Sequence, residues 1–287
     1  MPKNSVLIVG LGEVGHALFD LFKESGRFEV YGFDLDKEKM GEIAGASELP
    51  KIVEVMHVCY PCTRQETFVQ ITLDYMRKIR PKLTILESTV PPGTTQKIYE
   101  INELPIVDSP IRGMHKSLET MKNDILFWTK YIGGMTRESA EAAQQHYEKL
   151  GLKVKILKSP AETELAKLFE TTYRAWMIAC FQEMHRISRH FGADFNEVID
   201  LLEDIHRVRL NKPIHFPDVI GGHCLIPNTE LLLSVYDSEF LRLILESNEK
   251  RKEEIRDKTV QDETEKVKKR ADNLQRDLTS MLKNIAG

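Results

Sequence analysis

The chain has 287 residues and a formal net charge of −4, with 41% hydrophobic and 29% charged residues. This length exceeds the roughly 100–200 residues of a single domain, so more than one packed core is expected. The composition excludes a disordered or fibrous protein, and the small negative charge argues against a nucleic-acid partner.

The start of the chain and its cysteines bear on where the protein works. Residues 1–5 run directly into an apolar strand and show none of the regions of a signal peptide. No apolar run approaches the roughly 18 residues of a membrane span. The four cysteines are spread along the sequence and are not spaced as a disulfide framework. We expect a cytoplasmic protein that does not bind a membrane.

The first half alternates β-branched runs with helical patterns, which is typical of an α/β domain with a mostly parallel sheet. The pattern predicts helices over 13–24, 64–79 and 137–150. It predicts strands over 6–9, 30–33, 55–59, 83–87, 105–108, 130–132 and 153–157.

The second half is predicted to be helical. A long helix is expected over 160–189, and shorter ones over 195–203 and 228–245, separated by an irregular stretch, 206–226, that contains Pro and Gly and suggests a site. From residue 246 the charges alternate, and the apolar positions are spaced four and three apart. This tail is either a coiled coil or a helix packed on its own domain. The predicted domains are 1–159, 160–245 and 246–287.

A glycine motif directly follows the first predicted strand. Gly10, Gly12 and Gly15 form G-x-G-x-x-G at the start of a helix, where bare backbone N–H groups can approach a pyrophosphate. Asp34 ends the second strand, where it can bind ribose hydroxyls and repel a 2′-phosphate. The motif predicts a doubly wound Rossmann domain that binds NAD in preference to NADP. In the alternative interpretation the glycines only tighten a turn. The predicted contacts at this turn are Gly10, Gly12, Glu13, Val14, Gly15 and Asp34.

A polar segment follows the fourth predicted strand. Ser88 and Thr89 lie at the carboxyl edge of the sheet, where such folds bind ligands, so their hydroxyls are predicted to face the cofactor and the substrate. The same segment also suits a polar turn in which Thr94 or Thr95 caps a following helix.

Three segments, 87–95 (ESTVPPGTT), 161–167 (AETELAK) and 221–227 (GGHCLIP), follow the glycine motif in order, and 132–134 (IGG) and 172–174 (TYR) accompany them. Together they resemble the UDP-glucose/GDP-mannose dehydrogenase family over roughly residues 6–233. The resemblance implies that Cys224 attacks an aldehyde to give a thiohemiacetal. The thiohemiacetal gives up a hydride to NAD to become a thioester, which water then hydrolyses to the acid. It implies that Lys167 stabilises an oxyanion or orders water, that Thr89 and Asn228 assist, and that Tyr60 and Pro61 lie beside the cofactor.

Several positions depart from the family pattern. Ile111 stands where the family has a glutamate for acid–base chemistry, Thr171 where it has Asn, and Asn228 where it has Asp. We also expect the family's third domain, which holds the substrate nucleotide, to be absent. A smaller substrate or a single oxidation step therefore becomes plausible. The predicted substrate contacts are Arg112, His115 and Lys116, which suit an anion although they can equally be solvated, and Thr171, Gly222 and His223.

Three functions remain open from the sequence. The first is an NAD-dependent dehydrogenase using Cys224 and Lys167, and the second is a two-electron dehydrogenase like those of β-hydroxyacids, which needs no cysteine. The third is an NAD-binding protein that has lost catalysis. Cys59 and Cys62 have C-x-x-C spacing but stand alone, so no metal is predicted. Cys180 is predicted in the core or at a homodimer interface formed by the helix over 160–189.

Overall fold

The computed structural model describes residues 4–40, 50, 52–113, 117–210 and 213–286, and side chains up to residue 280. It divides into two compact units, Met1–Phe169 and Glu170–Gly287. The predicted three-domain division remains a prediction.

The first unit contains all the strands of the described chain. They are β1 (Asn4–Val9), β2 (Phe28–Phe33), β3 (Val55–Val58), β4 (Leu83–Leu86), β5 (Ile106–Asp108), β6 (Lys130–Gly134) and β7 (Val154–Ile156). Between them lie α1 (Glu13–Glu24), α2 (Lys37–Met40), α3 (Gln65–Ile79), α4 (Thr94–Asn102), α5 (Leu118–Phe127) and α6 (Arg137–Glu148). The predicted α/β class and all seven predicted strands are confirmed. Helices α2 and α5 are not among the predicted elements, and α4 is the helix that the polar-turn interpretation of the segment after β4 expects.

The strands form one sheet in the order β2-β1-β3-β4-β5-β6-β7. All neighbouring pairs are parallel except β5 and β6. Strands β3 and β4 are buried along their whole length, as expected when helices cover both faces. The chain passes from β1 to β2 on one side and places β3 on the other, so the carboxyl ends of β1 and β3 flank the point where ligands bind in such folds.

The long helix α7 (Pro160–His190) begins in the first unit and continues into the second. The second unit continues with α8 (Phe195–Val198), α9 (Asp200–Arg209), α10 (Leu225–Leu233), α11 (Glu239–Glu254) and α12 (Lys258–Ala286). Within the described residues, no helix is long and apolar enough to span a membrane.

The charged tail packs on its own unit. The apolar side of α12 is buried against side chains of α7, α8 and α9 and of the loop that follows α9. The tail residues in this core are Val267, Ala271, Leu274 and Leu278, and Val260 and Thr264 are also buried. Met281 and Ile285, predicted to continue the seam, lie outside the described side chains. The structure therefore favours the packed helix over the coiled coil, because the buried face is already covered.

Two predicted helical boundaries are wrong. The single helix expected over 228–245 is two helices, α10 and α11, because Ser238 adopts an extended backbone as the residue before α11. Serine and aspartate suit such positions better than a helix interior. The helical region that starts at Phe195 continues to Arg209 and ends where Leu210 takes a positive φ of 55°. The irregular stretch is therefore shorter than predicted.

Candidate active site

The glycine turn joins β1 to α1 beside the end of β3. Gly10 has a φ of 93°, and a Cβ atom there would lie 2.6 Å from the backbone nitrogen of Tyr60. A Cβ at Gly15 would lie 1.8 Å from the carbonyl oxygen of Gly10. These two glycines are required by packing, because the turn touches itself and the neighbouring strand end.

Gly12 has a different role in the same turn. It precedes the first residue of α1 with a φ of −73°, and a Cβ there would meet no heavy atom within 4 Å. Its lack of a side chain therefore serves no contact within the described protein. The open space lies at the amino end of α1, where the backbone N–H groups and the dipole of a helix favour an anion. Glu13 and Val14 follow in the first turn of the helix.

Asp34 lies directly after β2 and folds back on the turn. Its Oδ2 accepts a hydrogen bond from the Leu11 backbone N–H at 2.7 Å, and its Oδ1 accepts one from the Asp36 N–H at 2.8 Å. Each carboxylate oxygen has two lone pairs, so acceptor capacity remains for ribose hydroxyls. The carboxylate is thus held in a fixed position beside the glycine turn.

The ends of β3 and β4 are joined by a serine. The Ser88 hydroxyl lies 2.6 Å from the Tyr60 carbonyl oxygen and 3.1 Å from that of Val58, as donor. The Tyr60 hydroxyl pairs with Thr72 at 2.7 Å, and its ring packs near Phe68 and Tyr75. The structure therefore brings Ser88 and Tyr60 together; Pro61 is exposed and Thr89 is half-buried beside them.

A buried glutamate that the sequence analysis did not single out caps α4. Glu164, in the first turns of α7, accepts hydrogen bonds from the N–H groups of Gly93 at 2.7 Å and Thr95 at 2.9 Å, and from the Thr95 hydroxyl. Gly93, not Thr94 or Thr95, is the cap residue of α4. Burial raises the pKa of Glu164, against the opposing effect of these donors. Lys167 lies three residues further on, on the same side of α7, and is half-exposed.

The residues after β5 differ in accessibility. Ile111 is only 6% exposed and belongs to the hydrophobic core that also contains Met121 and Ile125. The Arg112 guanidinium donates to the Thr129 carbonyl oxygen at 2.8 Å and lies 5.2 Å from the ring centroids of both Trp128 and Tyr131. His115 and Lys116 lie outside the described residues.

A buried polar network lies directly behind Ser88. Glu87 accepts hydrogen bonds from Lys130 and Tyr147, each at 2.5 Å, and pairs with His57 at 2.8 Å, whose other ring nitrogen meets His146 at 2.9 Å. Burial raises the pKa of Glu87, but Lys130 and His57 outweigh it, so this pKa lies below its usual value. Burial lowers the pKa of Lys130 despite the opposing charge of Glu87. The network fixes the base of the Ser88 loop.

Asp108 lies at the end of β5, fully buried. Among the described residues, neither of its carboxylate oxygens has a hydrogen-bond partner. Burial, followed by the charge of Glu164, raises the pKa of Asp108 well above its usual value. A neutral carboxyl group is consistent with such surroundings, since an unpaired buried charge is costly.

In the second unit, Cys224 immediately precedes α10 and is half-buried. Backbone N–H groups at the start of a helix favour a thiolate. Asn228, one turn on, donates from its amide nitrogen to the Thr171 hydroxyl at 3.1 Å, and both residues are buried. Two of the three positions that depart from the family pattern, Thr171 and Asn228, therefore contact each other. Gly222 has a φ of 81°, and both it and His223 are exposed.

The remaining cysteines are poor nucleophiles. All four cysteines are thiols. Burial raises the pKa of Cys59 well above its usual value, that of Cys62 to about 12, and also that of Cys180. Among the described residues, no group of three or more His, Cys, Asp or Glu side chains is arranged to hold a metal ion.

Comparison with known proteins identifies one part of the chain. Residues 161–250 match the sequence profile of the UDP-glucose/GDP-mannose dehydrogenase family, central domain. Residues 161–250 are therefore similar to the central domain of that family. The UDP-N-acetyl-D-mannosamine dehydrogenase of Methanocaldococcus jannaschii is 29% identical over 262 residues, a match covering 77% of this chain and 59% of the relative. The resemblance predicted from sequence is confirmed, and the chain spans about three fifths of that relative's length.

Solved structures share the fold. UDP-D-ManNAc dehydrogenase from Pyrococcus horikoshii superposes with a TM-score of 0.72 at 23% identity, covering 86% of this chain and 68% of that chain. The 3-hydroxyisobutyrate dehydrogenase of Mycobacterium tuberculosis has a TM-score of 0.65 at 16% identity, covering 89% of this chain and 94% of that chain. The Rossmann domain followed by helices is therefore an architecture common to both.

Proposed function

We propose that the protein is an NAD-dependent dehydrogenase that oxidises an alcohol or aldehyde, either of a nucleotide sugar or of a smaller anionic substrate. The observation that carries the proposal is the open Gly12 turn beside a fixed Asp34, in a chain with the central domain of a dehydrogenase family. The relatives' names, including UDP-N-acetyl-D-mannosamine dehydrogenase, support a nucleotide sugar.

The cofactor would be held by the glycine turn and two strand ends. The pyrophosphate would face Gly12, Glu13 and Val14 at the start of α1, and the adenosine ribose would face Asp34. Tyr60, Pro61, Ser88 and Thr89 would lie at the nicotinamide end. NAD, when bound, would accept a hydride from the substrate. The carboxylate of Asp34 disfavours a 2′-phosphate, which supports NAD over NADP.

The proposed chemical roles follow from side-chain type and setting. Cys224, at the amino end of α10, is the candidate nucleophile towards an aldehyde carbon. Lys167 is the candidate cation for a developing oxyanion, on the part of α7 that Glu164 docks on the Ser88–Gly93 loop. Thr89 can donate a hydrogen bond to substrate. Asn228 orients Thr171 and, unlike a carboxylate, cannot act as a base at neutral pH.

Recombinant protein, NAD and a panel of UDP- and GDP-sugars test the proposal through the appearance of NADH. Activity with one nucleotide sugar that is lost in Lys167→Ala supports it. A Glu170→Ala variant, changed at an exposed position of the same helix, serves as the control. No NADH with any sugar or small hydroxyacid, from protein shown to bind NAD, would refute the enzymatic proposal.

A second candidate is a single two-electron oxidation like that of β-hydroxyacids. Two observations favour it: Ile111 is packed in the core and cannot move a proton, and a 3-hydroxyisobutyrate dehydrogenase matches almost along its whole length. The ratio of NADH to substrate separates the candidates, since one NADH per substrate and full activity of Cys224→Ser exclude covalent catalysis.

Homodimer formation through the helix over 160–189 is part of the proposal. Phe169, Tyr173 and Ile187 are 54%, 63% and 51% exposed and are spaced along one stripe of α7. Light scattering at micromolar concentration tests it, and a monomer would contradict it. A cytoplasmic location, consistent with four unoxidised thiols, is tested by cell fractionation.

A further inference from the structure

The loop that leads to Cys224 is held by three helices. Between α9 and α10, the described residues 213–223 have no regular structure. Gln182 of α7 donates from its side-chain amide to the Asp218 carbonyl oxygen at 2.7 Å. Ile214 is buried in the core that α12 completes. The loop is therefore anchored well before it reaches the cysteine.

The tightest anchor is Asn248 of α11. Its Oδ1 accepts a hydrogen bond from the Ile220 backbone N–H at 2.7 Å, and its amide nitrogen lies 3.4 Å from the Ile220 carbonyl oxygen, as donor. Asn248 is only 1% exposed, and Ile220 is buried as well. One side chain thus engages both backbone groups of Ile220, in the manner of a neighbouring strand, and fixes its position and orientation.

Helix α12 adds a cationic contact. The ammonium group of Lys268 lies 3.4 Å from an Asp218 carboxylate oxygen and 5.9 Å from the Phe216 ring centroid. The other Asp218 oxygen accepts from the Val219 N–H at 2.7 Å. This helix lies beyond residues 161–250, the part that matches the family's central domain.

Only three residues separate the anchor from the thiol. Gly221, Gly222 and His223 are all exposed, and Gly222 has a positive φ. On the other side, Cys224 immediately precedes α10, whose first turn is held by the Asn228–Thr171 hydrogen bond. The backbone that carries the thiol is therefore held by Ile220 upstream and by α10 downstream, with two glycines between Ile220 and His223 that allow many backbone directions.

We propose that Asn248, assisted by Lys268 of α12, is a positioning residue that keeps Cys224 at the amino end of α10, where helix N–H groups make the thiol reactive. This inference rests on the proposed role of Cys224. It gives the charged carboxyl-terminal helices a function within the site: they hold the loop that presents the nucleophile. The geometry carries this inference within one compact unit.

The test measures thiol reactivity in the full chain without NAD or substrate. Iodoacetamide labelling of each cysteine is followed by mass spectrometry, and the Cys224 rate is divided by that of Cys180 in the same molecule. In Asn248→Ala we expect this ratio to fall at least about threefold, the effect of losing one ordinary hydrogen bond. Asn248→Asp keeps an oxygen that accepts from the Ile220 N–H, so its labelling ratio should lie between those of the wild type and Asn248→Ala.

The matched controls separate positioning from general loosening. Ile244→Val removes one buried methylene group from the same helix and should leave the ratio unchanged. Lys268→Met should lower the ratio, whereas Lys269→Met, one residue on and exposed, should not. Lys268→Met also keeps the proposal testable if Asn248→Ala does not fold.

Three outcomes would overturn the proposal. They are an unchanged ratio in both Asn248→Ala and Lys268→Met, a rise in the labelling of Cys224 and Cys180 together, and a rise for Cys224 alone, which would mean that the anchor shields the thiol. Because the test does not measure catalysis, a protein that never makes NADH can still show the fall in the labelling ratio. Failure of the dehydrogenase proposal is therefore distinguishable from failure of the anchor.

Discussion

Replacing Gly12 by alanine separates cofactor binding from folding. The backbone at Gly12, with φ −73° and ψ −166°, is open to any residue, and the new methyl group would meet no heavy atom of the described residues within 4 Å. We expect the free energy of unfolding to change by less than about 1 kcal/mol, because a weaker helix cap is offset by lower unfolded-state entropy. The methyl group would occupy the space through which a pyrophosphate reaches the N–H groups of α1.

The loss of binding can be estimated from the contacts that the methyl group blocks. Losing one charge-assisted hydrogen bond costs about 1.5–3 kcal/mol, which is roughly 10- to 150-fold in NAD affinity. Calorimetric titration with NAD measures the affinity, and a urea unfolding curve measures the free energy of unfolding. Gly26→Ala is the control, since it strains a positive φ of 64° at another turn and should leave NAD affinity unchanged. Gly12→Ala that binds NAD as tightly as the wild type would refute the placement of the pyrophosphate.

Three further predictions concern charged groups of the first unit. Asp34→Asn should weaken the binding of NAD and reduce the preference for NAD over NADP. The same ratio of NAD affinity to NADP affinity in the variant and the wild type would contradict the ribose contact. The raised pKa of Asp108 means that the folded state binds the proton more tightly than the unfolded chain, so stability falls as pH rises through the folded-state value. Asp108→Asn should remove this fall, so the variant should be at least as stable as the wild type near pH 8 and no more stable below about pH 4. Thermal unfolding at a series of pH values measures this difference. A large loss of stability in the variant at every pH would contradict the prediction. Lys130→Met leaves Glu87 buried without its cation and should lower the free energy of unfolding by about 3–5 kcal/mol, much of which Glu87→Gln should recover in the double variant. Urea unfolding of the wild type, the two single variants and the double variant tests this. Strictly additive losses of stability would refute the coupling.

The sequence predicts those features that short stretches of chain determine. The strand pattern and the glycine turn follow from local requirements, so β1, α1 and the place of Asp34 could be predicted without a structure. The Glu164 cap joins residues 69 and 71 positions apart, and nothing in the local pattern specifies that pairing. Its only signal was a glutamate three residues before Lys167.

The tail shows a second reason why the sequence does not predict every feature of the fold. A seam of apolar residues spaced four and three apart has the same sequence whether it pairs with another chain or packs on its own unit. The choice depends on whether a complementary apolar surface already exists within the fold. Here Phe181, Phe195 and Ile199 provide one, and α12 covers it. No pattern within residues 258–286 could reveal that surface.

The departures from the family pattern are packed as part of the structure. Thr171 and Asn228 form a hydrogen bond with each other, and Ile111 lies in the core. The family pattern has a carboxylate at positions 111 and 228. In this chain Asn228 keeps a hydrogen bond between neutral groups, and Ile111 contributes apolar burial. In the proposed dehydrogenase, Ile111 cannot move a proton, which favours a single oxidation step over thioester hydrolysis. The count of NADH per substrate therefore distinguishes the two candidate reactions.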